Sequence, residues 1–258
     1  MEQDRTRPEG IGPGYQYDTK YCRDRRPPPC AWAGPTPPFK RYADPVARVA
    51  LPRPVTTGGA GLWETITARR SKRVYAAESL SLADLSQLLW AIQGITGERD
   101  GFRFRAAGSA GALYPNETYL VINDVAGVTP GIAHYDVRDH ALALIRAGGM
   151  GRLCAEACLG QSFCATAPVV FAWGAVVQRS AQKYGDRCYR YLYLDAGHLG
   201  GQLQLAAVAL GLGSVNVGAF LDDEVNSLFG LDGVAETILY LTAVGKPMGT
   251  TGKRGGAR

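Results

Sequence analysis

The chain contains, at positions 68–75, the stretch Ala68-Arg69-Arg70-Ser71-Lys72-Arg73-Val74-Tyr75, in which four cations and one hydroxyl group fill five consecutive positions. The flanking segments have the apolar spacing of helices, and within one continuous helix these like charges would repel each other. At a junction between helix and loop, the side chains of Arg69, Ser71 and Arg73 can instead turn toward one point and hold an anion. Guanidinium groups pair bidentately with phosphate oxygens, and a serine hydroxyl adds a donor. A solvated basic turn is the alternative, and the rest of the sequence has to decide between the two.

The length and composition indicate one large globular domain. The chain has 258 residues, of which 46% are hydrophobic and 20% charged, an ordinary globular composition. No run of eighteen apolar residues is present, so no membrane-spanning helix is expected. The N-terminus, Met1-Glu2-Gln3-Asp4-Arg5, lacks the apolar region of a secretory signal, and we therefore expect a cytoplasmic protein.

Residues 1–56 differ in composition from the rest of the chain. They hold eleven of the fifteen prolines, and ten Lys or Arg against six Asp or Glu, whereas the remainder holds eighteen against seventeen. Because proline fixes φ and lacks a backbone donor, we expect 1–56 to be an extended arm that wraps the body or a second subunit. A globular domain is expected over 57–248 and a flexible tail over 249–258. The nearly neutral body disfavours a broad nucleic-acid surface.

The six cysteines lack the spacing of a metal site. None forms a Cys-x-x-Cys pair, and although Cys154 and Cys158 lie four apart on one helical face, no histidine is close to either in the sequence. We therefore expect buried free thiols and no metal ion.

From residue 61 onward the pattern predicts roughly five strands and five helices in no strict alternation, which is an α+β fold. Ser81 is the expected N-cap of a helix that Gly94 ends, and 97–108 is expected to be a loop. The longest helix is predicted over 188–210, and its second half is apolar nearly all round, so it should be buried on every side, in a core or a subunit interface. No Gly-x-Gly-x-x-Gly follows the first strand, so a Rossmann dinucleotide site is not indicated.

Four stretches occur in a fixed order: Arg69-Arg70-Ser71-Lys72-Arg73, then Ser109-Ala110-Gly111-Ala112-Leu113-Tyr114-Pro115, then the segment from Gly211-Leu212-Gly213 to Gly218-Ala219-Phe220, then Val244-Gly245-Lys246-Pro247. From about Leu62 to Pro247 the chain thereby resembles the flavin-dependent nitroreductase superfamily. It is most similar to the SagB-type branch, the FMN-dependent azoline dehydrogenases of thiazole- and oxazole-containing peptide biosynthesis. The resemblance implies a nitroreductase-like mixed sheet flanked by helices, in a domain-exchanged homodimer with FMN at the interface.

The resemblance implies three groups of FMN-binding residues. One group binds the phosphate, one lies against the isoalloxazine ring from across the dimer interface, and one places a backbone amide near flavin N5. A flat ring needs a groove without bulk, which agrees with the small residues in the last two groups. The groups are Arg69, Ser71, Arg73 and Lys246; Ser109, Ala110 and Gly111; and Gly218 and Ala219.

The pair Lys183-Tyr184 resembles a Lys-Tyr pair of the azoline dehydrogenases, in the context Lys183-Tyr184-Gly185-Asp186-Arg187-Cys188-Tyr189-Arg190-Tyr191. Azoline oxidation removes a proton from one carbon and a hydride from the other. A lysine or a tyrosinate near the flavin could take the proton if its pKa is lowered by burial or by a neighbouring cation. Lys183 and Tyr184 are therefore the expected catalytic residues; a surface lysine beside a packing tyrosine is the alternative. Arg187 and Arg190 either bind substrate or cap the loop.

The expected function is that of an FMN-dependent dehydrogenase or oxidase acting on an azoline or a related biosynthetic intermediate. An NAD(P)H-dependent nitro- or quinone-reductase is one alternative, and a flavin-less scaffold subunit of a biosynthetic complex is another. The expected partners are a second copy of the chain, a peptide or small-molecule intermediate, and other enzymes of the same pathway, but neither nucleic acid nor membrane.

Overall fold

The computed structural model of the protein describes residues 7–23 and 36–248. The strands are β1 (Ala47–Ala50), β2 (Ile95–Arg99), β3 (Phe102–Arg105), β4 (Asn116–Ile122), β5 (Gly131–Asp136), β6 (Ala141–Ala147), β7 (Val169–Val176), β8 (Gly213–Val217) and β9 (Glu236–Gly245). Seven of them form one sheet in the order β1-β6-β5-β4-β7-β9-β8, and β2 and β3 form a separate hairpin. Every ladder of the large sheet is antiparallel. In the described ranges parallel pairing is confined to two single bridges, Ser71 with Ser214 and Leu80 with Val125, where the sequence had suggested a mixed sheet.

Helices cover both faces of this sheet. They are α1 (Ile11–Asp18), α2 (Leu62–Ala68), α3 (Leu82–Gln93), α4 (Gly151–Ala157), α5 (Phe163–Thr166), α6 (Val177–Tyr184), α7 (Cys188–Ala209) and α8 (Asp222–Phe229). Because side chains alternate along a strand, Leu120 and Ile122 of β4 pack with α3 and α7, while Tyr119 and Val121 pack with α4, α5 and α8. The result is three layers, helix, sheet and helix, with a hydrophobic core on each side of the sheet.

The predicted α+β class is confirmed, and so are several element ends. Ser81 caps α3, its hydroxyl accepting from the Asp84 backbone N–H at 3.0 Å, and Gly94 ends the helix. The loop expected over 97–108 is wrong, because β2 and β3 form a hairpin there. Its turn, Asp100-Gly101, has positive φ at both residues (53° and 79°), which is the geometry that an Asp-Gly dipeptide favours between two antiparallel strands.

The arm is not extended throughout, so that expectation needs correction. It carries the helix α1 and the edge strand β1, which pairs with β6 from Ala47 to Ala50. Pro13 is tolerated in α1 because it lies in the first turn, where a backbone N–H has no helical partner. Lys40 joins the arm to the sheet through an ion pair with Glu236 and a 2.7 Å contact to Tyr119. The tail predicted over 249–258 lies outside the described residues.

The helix α7 is not buried on every side within one chain. Its inner side packs against α3 and the sheet, but on the outer side Leu205 and Val208 are only half-buried. Tyr193 and Leu194, nearer its start, are 57% and 58% exposed. The outer side of α7 is therefore free to meet another surface. Across the described part of the chain, no helix combines the length and the apolar character needed to cross a membrane.

Candidate functional site

The basic stretch lies at one end of the sheet, beside the start of β8 and the end of β9. Helix α2 ends at Ala68, and the chain then bonds to β8, the Lys72 N–H donating to the Ser214 carbonyl at 2.9 Å. It continues past β9, where the Ala76 N–H donates to the Lys246 carbonyl at 2.9 Å. The backbone therefore brings Ser71 and Arg73 to the same edge of the fold as Lys246.

The side chains at this edge are available to a ligand. Arg69 is half-buried, Ser71 and Arg73 are exposed, and none of the three forms a side-chain hydrogen bond or ion pair with a described residue. Lys246 donates to Glu78 at 2.5 Å, in a pair whose two members are both more than half exposed. We call Arg69, Ser71, Arg73 and Lys246 the basic anchor. Unpaired guanidinium groups and an exposed hydroxyl are groups that can bind a phosphate monoester.

The segment Ser109–Gly111 is fixed by a buried carboxylate of α7. Ser109 Oγ donates to Asp195 Oδ2 at 2.6 Å, and the Ala110 N–H donates to Asp195 Oδ1 at 3.2 Å. Asp195 is 5% exposed, and burial raises the pKa of its carboxyl group, although the bonds from Ser109 and Ala110 oppose that shift. The hydroxyl of Ser109 and the amide N–H of Ala110 therefore already have hydrogen-bond partners within the chain. A ligand would meet this segment through the surface of its small residues.

Gly111 brings that segment into contact with the predicted catalytic pair. A Cβ atom built on Gly111 would lie 2.6 Å from Tyr184 Oη and 2.7 Å from Lys183 Nζ, distances that real Cβ atoms do not show. Gly111 also has a φ of +63°, which favours glycine. The structure therefore places Lys183 and Tyr184 together, with both polar ends directed at Gly111. We call these two residues the Lys-Tyr pair.

The pair stands on the last turn of α6, and the opposite side of that helix is anchored in the sheet. Arg179, one turn before Lys183, is 3% exposed, ion-pairs with Glu117 of β4 and donates to the Tyr114 carbonyl at 3.1 Å. Burial alone would raise the pKa of Glu117, but the hydrogen bond from His134 and the charge of Arg179 lower it to about 2. Lys183 itself is exposed and Tyr184 is half-buried.

Gly218 and Ala219 follow β8, at the end opposite to the basic anchor. Both are exposed, and a Cβ on Gly218 would only touch the ring of Tyr240, at 3.5 Å. Gly218 lies four positions after Ser214, which along an extended strand is about 13 Å. In the described ranges, no hydrogen bond or ion pair links the anchor to the Lys-Tyr pair.

Sequence reasoning missed the residues that support the site. Asp195 interrupts an apolar stretch, Leu194-Asp195-Ala196, inside a helix, and a lone carboxylate in such a place is a signal that it has a specific partner. Glu117 and Arg179 gave no such signal, because the 62-residue gap between them hides their ion pair. The expectation of buried free thiols is confirmed for Cys154, Cys158 and Cys164, whose sulfur atoms lie within 4.8 Å of one another, and Cys188 is likewise a buried thiol. It is wrong for Cys22, which is only half-buried, and Cys30 lies outside the described residues.

The fold and these motifs define a class of oxidoreductase. The chain belongs to the nitroreductase family, whose family model matches residues 66–246. It is 38% identical over 185 residues to MJ1384 of Methanocaldococcus jannaschii, which is named as a nitroreductase, with 72% of this chain and 90% of that protein covered. It is 31% identical over 140 residues to the trifolitoxin-processing protein TfxB of Rhizobium leguminosarum bv. trifolii, a match that covers 52% of this chain and 38% of that protein.

Solved structures show the same fold. A protein of Anabaena variabilis described as a nitroreductase superposes with a TM-score of 0.74 at 28% identity, covering 96% of this chain and 49% of that chain. A chain of the E. coli microcin synthetase McbBCD complex, solved with truncated pro-MccB17 bound, gives a TM-score of 0.60 at 17% identity, covering 96% of this chain and 86% of that chain. The second likeness, at this identity, concerns the fold alone.

Proposed function

We propose that this protein is an FMN-dependent dehydrogenase of the SagB type that oxidises an azoline, or a related biosynthetic intermediate, to an azole or unsaturated product. The observation that carries the proposal is the convergence of Lys183 Nζ and Tyr184 Oη on Gly111. A family member that only delivers hydride to its substrate needs no side-chain base, whereas an azoline oxidation needs one. The name of TfxB, a trifolitoxin-processing protein, supports a role in peptide maturation.

The described residues fit FMN, and the basic anchor would hold its phosphate. The guanidinium groups of Arg69 and Arg73 and the hydroxyl of Ser71 have no partner in the described ranges, and Lys246 would exchange part of its pairing with Glu78 for the phosphate. The small residues Ser109–Gly111 and Gly218–Ala219 leave room for a flat ring. When bound, FMN supplies the hydride acceptor, and oxygen is the proposed final acceptor.

The chain's own contribution is to orient the substrate carbon and remove its proton. Tyr184, as a phenolate, or Lys183, as a free amine, would take the proton while the C–H bond on the neighbouring carbon breaks with its electron pair. Lys183 Nζ lies 5.5 Å from the centroid of the Tyr184 ring, so the two candidate bases lie side by side. Two hydrogen atoms leave the substrate in total, one as a proton and one as a hydride.

The test is to incubate the purified, FMN-loaded protein with azoline-containing peptides in air and to measure the substrate mass, where loss of two hydrogens is expected. Lys183→Gln and Tyr184→Phe should keep FMN but lower the rate by about a hundredfold or more, the usual range for a general base. Arg152→Gln, which removes an exposed cation paired only with Glu156 in the next turn of α4, is the matched control. Wild-type rates in FMN-bound Lys183 and Tyr184 variants would contradict the assigned roles.

Reductase activity is the second candidate, favoured by the name of the M. jannaschii relative. Rapid bleaching of the bound flavin by NADPH alone, with reduction of a nitroarene or quinone, would support it over the dehydrogenase. A purified protein that takes up no FMN would instead support a scaffold role.

We also propose a homodimer in which each FMN lies between the basic anchor of one protomer and the Lys-Tyr pair of the other. Because Gly111 contacts Lys183 and Tyr184, the segment Ser109–Gly111 and the pair would be supplied together by one protomer. Helix α2 packs against α7, and apolar side chains of both are left exposed. They are Leu62, Trp63, Ile66, Tyr193 and Leu194, from 45% to 78% exposed, a surface suited to a second copy.

A further inference from the structure

The helix α1 is held against the junction of α6 and α7 by two arginines. Arg187 Nη1 donates to the Thr19 carbonyl at 2.7 Å. Arg190 donates from Nη2 to the Gln16 carbonyl at 2.7 Å and from Nε to Thr19 Oγ1 at 3.0 Å. Thr19 is only 3% exposed, so the charge-assisted bonds to Thr19 are shielded from water, whereas the bond to the Gln16 carbonyl is exposed. Both arginines belong to the sequence context of the Lys-Tyr pair, and their partners are in the arm.

Tyr191 connects this contact to the Lys-Tyr pair. Arg187 Nε donates to Tyr191 Oη at 2.9 Å, and the ring of Tyr191 packs on that of Tyr184 with centroids 4.6 Å apart and planes inclined by 55°. Tyr21, just after α1, completes the arrangement, since the Arg187 guanidinium lies 4.3 Å from its ring centroid. A continuous set of contacts therefore runs from the arm through Arg187 and Tyr191 to Tyr184.

The charged and titratable groups that face Tyr191 shift its pKa in the direction expected from these contacts. Burial acts to raise the pKa of Tyr191, but the hydrogen bonds with Arg187 and Tyr21, together with the charges of Arg187 and Arg190, outweigh it and lower that pKa. Burial and the neighbouring Tyr191 and Tyr184 raise the pKa of Tyr21. Tyr191 thus has partners that distinguish it from an ordinary surface tyrosine.

We propose that Gln16, Thr19, Arg187 and Arg190 form a clamp that fixes the arm on the active site, and that Arg187 and Tyr191 are positioning residues that hold Tyr184 in its catalytic orientation. The inference rests on the proposed function of the Lys-Tyr pair. The Tyr191 ring packs on the Tyr184 ring, and the chain after Tyr184 turns away through Gly185 at a φ of +55°. A planar guanidinium can bond the arm and Tyr191 at once, which a lysine ammonium cannot do in the same geometry.

The clamp itself is tested by hydrogen exchange at the Thr19 amide, which donates to the Tyr15 carbonyl at 3.1 Å, in Arg187→Lys and Arg190→Lys. Exchange should be about tenfold faster in the two arginine variants, because bonds to a charged group are lost. Arg7→Lys is the matched control, since Arg7 pairs with Asp18 of the same helix and both side chains are about half exposed. Equal exchange in Arg190→Lys and Arg7→Lys would contradict the clamp.

Positioning is tested by two further measurements. The first is a tyrosinate absorbance titration of the cofactor-free protein from about pH 7 to about pH 11. Tyr191→Phe should remove the tyrosinate transition that occurs at lower pH than the others, and Arg187→Lys should move that transition to higher pH. With an azoline substrate, both variants should lower kcat about tenfold to a hundredfold while KM changes less than about threefold. An unchanged titration, or an unchanged kcat in a variant whose arm exchanges faster, would overturn the positioning role. A wild-type protein that oxidises no azoline would overturn the proposed function, while exchange and titration would still decide the clamp.

Discussion

At the scale of single residues, Gly111 belongs to the predicted flavin-binding motif and also lies against the predicted catalytic residues. Its missing side chain leaves the space that the Tyr184 hydroxyl and the Lys183 ammonium group occupy. Its left-handed backbone lets the segment turn immediately after Ser109 and Ala110 have bonded to Asp195. The small residues of Ser109–Gly111 thus serve two purposes, close approach to a flat ligand and room for the Lys-Tyr pair.

Replacement of Gly111 by alanine should impair the reaction more than it impairs folding. The backbone conformation costs about 1–2 kcal/mol for an L-residue. The two atoms that a Cβ would meet are the ends of flexible side chains, so they would move aside rather than unfold the protein. We expect dehydrogenation to fall about a hundredfold with FMN affinity retained, since an ångström of misplacement has that effect. Gly108→Ala is the control, because a Cβ there has no neighbour within 4 Å and no left-handed backbone to strain; equal losses in both variants would contradict this role of Gly111.

At the scale of elements, α6 is a short helix that packs through Val177 and Ala181 and is anchored by a buried ion pair. Arg179 and Glu117 are 3% and 2% exposed, and Glu117 also bonds His134 Nε2 at 2.8 Å. The same arginine reaches the arm, donating to the Pro37 carbonyl at 2.8 Å. Strand β4, the arm and the helix that carries the Lys-Tyr pair are therefore tied together at Arg179.

Glu117→Gln should destabilise the protein in a pH-dependent way. The folded-state pKa of Glu117, about 2, lies below its ordinary 4.5, so its contribution is fully present above pH 4.5 and is lost as the pH falls toward 2. The difference of about 2.5 pKa units corresponds to about 3 kcal/mol at neutral pH. Urea unfolding of wild type and variant at several pH values should show that gap narrowing below pH 4.5. Glu98→Gln, in an exposed pair with Arg103, should cost less than about 1 kcal/mol at any pH.

Elements and motifs could be predicted from the sequence where the residues that determine them are close together in the chain. The Ser81 cap and the Gly94 end of α3 depend on neighbouring residues, and the basic anchor is contiguous apart from Lys246. The hairpin at 95–105 was also encoded locally, in Asp100-Gly101, but its polar strands concealed it. The Glu117–Arg179 pair and the clamp by Arg187 and Arg190 join residues 62 to 174 positions apart, and such pairings follow from topology, which one sequence does not display.

At the scale of the whole molecule, the two halves of the candidate site occupy separate places in one chain. The basic anchor lies where Ser71 meets β8, whereas the Lys-Tyr pair stands on the last turn of α6, against Gly111. In the homodimer we propose, built on the outer sides of α2 and α7, each anchor would face the pair of the other protomer. The exposed apolar side chains of those two helices would be buried in the interface of such a dimer.

This arrangement predicts that two inactive variants will restore each other's activity when mixed. One variant lacks the anchor (Arg69→Gln with Arg73→Gln), and the other lacks the pair (Lys183→Gln with Tyr184→Phe). In a mixed dimer one site would receive both defects and the other would receive neither, because each site takes its anchor and its pair from different protomers. After co-expression, or unfolding and refolding together, about a quarter of the wild-type dehydrogenase activity should return, since half of the dimers are mixed and half of their sites are intact. Light scattering must show dimers throughout, and mixing without refolding is the control. Dimers without recovered activity would place anchor and pair in the same protomer, and a monomeric wild type would contradict the shared site altogether.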